Sequence, residues 1–175
     1  MSDLLEILRE GTLLQKGNAS QVIDHILQKP QEFGQLIRGM NHEDFGICMR
    51  SLYCAEQICR KRPESVQPYT SEIVASLPNW KERREMAQLL PLLISHLELQ
   101  GEELGLALAF IRERLENSKK TFEKVNCLQA MADHATRNHW LVEEVLATFD
   151  EYEHKGGTAI NARIRKLRKK LAKLD

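Results

Sequence analysis

Apolar residues recur at three- and four-residue steps along most of the chain, the period of an amphipathic helix rather than of a strand. Phe45, Cys48, Leu52, Ala55 and Cys59 fall on one stripe, and Val66, Tyr69, Ile73 and Leu77 on a second. Leu104, Ala107, Leu108, Ile111 and Leu115 form a third stripe, and Leu141, Val145, Phe149 and Tyr152 a fourth. These stripes group into three blocks of roughly 38 residues, each a helical hairpin. The first pairs Phe45–Arg62 with Pro63–Leu77, the second Lys81–Leu97 with Glu102–Glu116, and the third Lys119–Arg137 with Trp140–His154. One hairpin cannot bury its apolar face alone, so consecutive hairpins must stack side by side.

Breaks in the pattern fall at hairpin spacing. Asp3 with Glu6, Asn18 with Gln21, and Asn79 with Glu82 have the three-residue separation of a reciprocal helix cap. Pro30 and Pro63 suit a first helical turn, where the missing N–H costs nothing. Gly17, Gly101 and the Gly156-Gly157 pair stand where helices are expected to stop. The run Leu89-Leu90-Pro91-Leu92-Leu93-Ile94 is apolar on every side, which predicts a central helix kinked at Pro91.

Two features carry a family resemblance: Pro91 in a first helix, and the string Val125-Asn126-Cys127-Leu128-Gln129-Ala130-Met131-Ala132-Asp133 with small residues where helices cross. With the closing helix Ile160–Leu174, they make the chain from about Glu43 onward similar to the HEAT-repeat (armadillo-like) family. That resemblance implies an all-α fold, a right-handed α-α superhelix of HEAT-like helical hairpins. On this reading residues 1–42 form an irregular N-terminal helical cap and residues 43–157 the three repeats. Residues 158–175 form a basic C-terminal capping helix, all within one structural domain. Pro91 has no counterpart in the first or third block.

Composition supports the helical reading, since Leu occurs 25 times against six each for Val and Thr. Lys+Arg and Asp+Glu both number 25, so net charge gives no clue to a partner. No apolar stretch reaches the roughly 18 residues that span a bilayer. The N-terminal segment resembles neither a secretory nor a transit signal. The four cysteines form no CxxC pair, so reduced thiols and a cytoplasmic location are expected.

Charge is nevertheless segregated. Ile160, Ile164, Leu167, Leu171 and Leu174 make an apolar stripe, while Arg163, Arg165, Lys166, Arg168, Lys169, Lys170 and Lys173 fill the rest of that segment. Such a helix either caps the array, leaving a solvated positive face, or meets an anionic surface through Arg165, Lys166 and Lys169. Between Trp140 and Glu153 the charges are Glu143, Glu144, Asp150, Glu151 and Glu153, with no Lys or Arg. Glu113 and its neighbours add to this acidic ridge. In HEAT arrays second helices line the concave face, so the resemblance implies a negative groove suited to basic protein surfaces. Trp80 and Trp140 are expected at helix starts, as staples over the preceding turn or as exposed anchors.

Catalytic chemistry finds little support in the spacing. Cys127 and His134 share a helical face but lie about 10 Å apart along the axis, too far for a thiolate–imidazole pair. A buried cysteine and an edge histidine are the simpler reading. His134, His139 and His154 lack a ligand spacing, and no phosphate loop or nucleophile elbow is present.

These observations predict a non-catalytic protein-interaction scaffold without cofactor or metal. A partner protein would bind on the concave face through Glu113, Glu143, Glu144 and Glu151. Nucleic-acid binding is the alternative. HEAT-like DNA glycosylases that excise alkylated purines need a basic, aromatic concave face, which the acidic ridge does not provide.

Overall fold

The computed structural model describes residues 4–10, 16–82 and 87–174. Among these residues there are ten α-helices and no strand. They are α1 (Leu4–Arg9), α2 (Ala19–Gln28), α3 (Gly34–Met40), α4 (Phe45–Cys59), α5 (Thr70–Glu82), α6 (Leu90–Ser95), α7 (Gly101–Asn117), α8 (Thr121–Arg137), α9 (Val142–Lys155) and α10 (Thr158–Leu171). Short 3-10 turns at Pro30–Glu32, Pro63–Tyr69, Ala87–Leu89 and His139–Leu141 lead into α3, α5, α6 and α9. The chain divides into two compact units, residues 1–98 and residues 99–175. That division falls between Leu97 and Glu102, inside the second of the hairpins read from the sequence.

In the N-terminal unit, α4 is the central helix and packs on α1, α2, α3 and α6. Asp44 caps its first turn, accepting a hydrogen bond from the Ile47 N–H at 3.0 Å. Burial extends around α4 to Arg50, Ser51 and Glu56 as well as to the apolar stripe. Arg50 is tolerated there because its guanidinium finds backbone acceptors. Its Nη2 donates to the Arg9 carbonyl at 3.0 Å and its Nε to the Leu8 carbonyl, serving the free carbonyls at the end of α1. Glu56 accepts from Arg60 Nε at 2.5 Å, one turn on.

Several local expectations need correction. Asn18 makes no side-chain cap with α2; its Nδ2 donates instead to Glu10 Oε2 at 2.9 Å. Gly17 before it has φ +50°, and a Cβ there would run into the Glu10 carbonyl oxygen. The helix expected to end at Leu77 runs on to Glu82, because buried Trp80 extends the Ile73–Leu77 stripe by another three residues. Asn79 and Glu82 therefore lie within a helix rather than at its start. The expected single helix Lys81–Leu97 is divided: α5 ends at Glu82, and a 3-10 turn precedes α6. Pro91 occupies the first turn of α6, where no N–H is required, so it produces no mid-helix kink. The Asp3 cap lies outside the described residues.

In the C-terminal unit, α8 packs against α7, α9 and α10, and α10 also contacts α9. The predicted stripes meet there: Leu104, Ala107, Leu108, Ile111 and Leu115 of α7 are buried, as are Leu141, Val145 and Phe149. Ile160, Ile164, Leu167 and Leu171 of α10 are buried too, while Leu174 lies beyond the helix and is half-buried. Each such Leu or Ile contributes about 1.5–3 kcal/mol on leaving water. Gly101 opens α7 rather than closing the preceding helix, and adopts φ +53°. At the α7–α8 corner the buried Arg114 donates from Nε to Glu123 Oε1 at 2.6 Å, and Ser118 Oγ donates to Glu123 Oε2 at 2.5 Å.

Candidate functional site

The two faces of interest both belong to the C-terminal unit. Between α7 and α9 lies a cleft of about 370 Å³ whose lining includes Arg112, Glu116, Lys124, Thr148, Glu151, Tyr152 and Lys155. Helical spacing brings Thr148, Glu151, Tyr152 and Lys155 to one side of α9, one turn apart. Lys155 Nζ donates to Glu151 Oε1 at 2.5 Å, and this bond holds the lysine pKa above its ordinary value. Lys124 Nζ lies 5.7 Å from the centre of the Tyr152 ring. Partial burial, followed by the Glu151 charge, pushes the Tyr152 hydroxyl pKa up.

Of the four acidic residues read as a partner site, only Glu151 lines this cleft. Glu144 is exposed on the same side of α9 and pairs with Arg112 across from α7. Glu113 lies half-buried on α7 outside the lining, and Glu143 is exposed on the other side of α9. Asp150 and Glu153 are both held by Arg168 of α10, at 2.6 and 3.0 Å. Burial of the guanidinium lowers the Arg168 pKa, but its bonds to the two carboxylates outweigh that and raise it. Glu144, Asp150, Glu151 and Glu153, which read as a uniformly acidic ridge along the chain, thus each pair with a cation of α7, α10 or the end of α9.

The second face is a groove of about 380 Å³ between α8 and α10, lined by Thr121, Phe122, Val125, Ala159, Ala162, Arg163 and Lys166. Of the three cations read as an anionic-surface contact, Lys166 lines this groove; Arg165 and Lys169 are exposed on the same helix. Phe122 was not among the sequence candidates, yet 55% of it is exposed. The signal was present: Phe122 and Val125 are apolar but out of phase with the buried positions Asn126, Cys127, Ala130 and Met131 of α8.

The aromatic and thiol candidates separate clearly. Trp80 is 1% exposed and Trp140 70% exposed, so the two tryptophans have opposite environments. Cys127 is buried, and its thiol pKa is pushed far up, chiefly by loss of water. His134, expected at an edge, is fully buried in α8 with its Nδ1 3.2 Å from Arg137 Nη2. Among the described residues no three His, Cys, Asp or Glu side chains gather as metal ligands, and no helix is long and apolar enough to cross a membrane.

No protein-family model matches the chain, and neither does any curated protein or solved structure.

Proposed function

We propose that the chain is a non-catalytic, HEAT-like interaction scaffold that holds a partner protein in the α7–α9 cleft. The observation that carries this reading is the alternation of charge there: Arg112, Lys124 and Lys155 intermix with Glu116 and Glu151 around the half-buried Tyr152. A surface of mixed sign with a tyrosine at its centre suits a protein segment carrying both charges, and Tyr is a frequent interface anchor. Arg112–Glu144 and Lys155–Glu151 supply pairs whose members are free to exchange partners, because all four side chains are substantially exposed. The acidic residues act through these pairs, not as a bare negative groove.

The test is affinity capture from native extract with mass spectrometry, comparing the natural chain with Glu144→Arg/Glu151→Arg. The double variant loses a partner retained by the natural chain, while its helical circular dichroism is unchanged. Equal recovery of every captured protein by both chains refutes the cleft assignment.

Nucleic-acid binding is the second reading, supported by exposed Arg165, Lys166 and Lys169, for which no ion pair is found among the described residues. It predicts DNA retardation near about 50 mM salt, falling steeply as salt rises. Absence of retardation there ends it.

A further inference from the structure

We propose that the groove between α8 and α10 docks an acidic amphipathic helix of a partner protein, a binding surface separate from the α7–α9 cleft. The floor is aliphatic. Ala159 and Ala162 stand one turn apart on α10, opposite Val125, and Phe122 forms an exposed wall at the start of α8. Small side chains along one helix let another helix approach closely, and the exposed Phe supplies an edge for apolar anchors at i, i+3 and i+4.

The charge around this floor is of one sign. Arg163 and Lys166 line it, and exposed Lys119 and Lys120 precede α8. Arg165 and Lys169 extend the positive surface along α10, which carries no carboxylate at all. α8 has two carboxylates, and both are engaged elsewhere. Glu123 is buried against Arg114, and Asp133 receives Lys170 Nζ at 2.6 Å and Gln129 Nε2 at 2.8 Å. A complementary occupant therefore has apolar side chains on one helical face and carboxylates beside them.

Single-stranded nucleic acid fits less well, because such sites stack successive bases on aromatic rings and, among the described residues, Phe122 is the only ring lining this groove. A second copy of this chain is disfavoured because the apolar face of its acidic helix α9, with Val145 and Phe149, is already buried, and Asp150 and Glu153 are held by Arg168.

Fluorescence anisotropy on the full chain tests the proposal. The probe is a labelled synthetic peptide of about 20 residues, with Leu at helical spacing on one face and Glu on the others. It binds saturably, whereas a scrambled peptide of equal composition and a Lys-for-Glu version bind at least about tenfold more weakly. Ala162→Glu, which places a carboxylate in the floor, weakens binding by about tenfold with unchanged circular dichroism. Lys166→Glu at the exposed rim does the same without touching the interior, so a folding defect in the first variant leaves a second reading of the result. Equal binding of the scrambled peptide, or no change in both variants, overturns the proposal. So does a single-stranded oligonucleotide that binds as tightly and responds to the same substitutions. A concentration-dependent dimer abolished by Lys166→Glu also overturns it, by assigning the groove to a second copy.

Discussion

Arg168 of α10 donates to Asp150 of α9 at 2.6 Å, and its guanidinium lies 5.8 Å from the centre of the Phe149 ring. The same group reaches Glu153 at 3.0 Å, so one cation joins the C-terminal helix to two carboxylates and one aromatic of its neighbour. Single exposed ion pairs are worth about 0–1 kcal/mol, but this one is networked and partly shielded. Arg168→Ala is expected to cost about 1 kcal/mol, lowering Tm by roughly 2–4 °C. Thermal unfolding followed by circular dichroism measures it, and Arg168→Lys keeps part of the loss from appearing. A Tm unchanged in both variants means that the network is solvated and adds nothing.

A larger effect is expected at Arg114 and Glu123, which are buried together at the α7–α8 corner. Glu123→Ala leaves a guanidinium with one acceptor fewer in a dry site, and breaking a buried pair this way costs about 3–5 kcal/mol. Replacing both partners, as Arg114→Met/Glu123→Leu, removes both charges and is expected to be much milder. Urea denaturation of the two variants compares them. A double variant as unstable as Glu123→Ala contradicts this account.

The four cysteines are all buried, and burial raises the thiol pKa of Cys54 and Cys59 to about 12. Cys48 donates its S–H to the Met40 carbonyl at 3.0 Å. At pH 8 the reactive thiolate is therefore scarce and shielded. An aromatic disulfide reagent is expected to titrate none of the four thiols rapidly in the native protein and all four in denaturant. Rapid release of one equivalent from the folded chain disproves this.

The helices of the C-terminal unit were readable because their buried residues are local in pattern: the α7, α9 and α10 stripes each follow the helical period and find one another. The central role of α4 was not. Apolarity on all sides pointed to residues 89–94, whereas α4 owes its burial in part to Arg50 and Glu56, whose polarity argues against it. Arg50 is satisfied by carbonyls 41 and 42 residues away, a relationship that spacing does not encode. The cations facing the acidic ridge were not legible for the same reason, since Arg112 and Arg168 reach Glu144, Asp150 and Glu153 from other helices. Trp80 shifted a helix end because its large ring continues a stripe past Pro78, a residue that alone reads as a stop.

The two tryptophans give separable predictions. Trp80→Ala removes a fully buried ring and is expected to cost about 3–5 kcal/mol. Trp140→Ala removes an exposed one and is expected to change stability by less than about 0.5 kcal/mol. In the Trp140→Phe variant, the remaining emission is blue-shifted and little quenched by acrylamide. Strong quenching in that variant places Trp80 in contact with water and contradicts its burial.

Asp44 connects the start of α4 to pH. Its carboxylate accepts from the Ile47 N–H, and that bond lowers its pKa below the ordinary 3.8. A group whose folded pKa is depressed stabilises the fold fully above its unfolded value, and the stabilisation is lost as pH falls through the folded value. Asp44→Ala is therefore expected to lose about 1 kcal/mol at neutral pH. That loss should stay constant above about pH 5 and shrink below about pH 4, where the natural carboxyl protonates. Asp44→Asn keeps an acceptor for the same N–H but cannot titrate, so it restores most of the stability without the acid dependence. Chemical denaturation of the three chains between pH 3 and 7 decides the matter. A gap between Asp44 and Asp44→Ala that widens on acidification has the opposite sign and rules the cap out as its source.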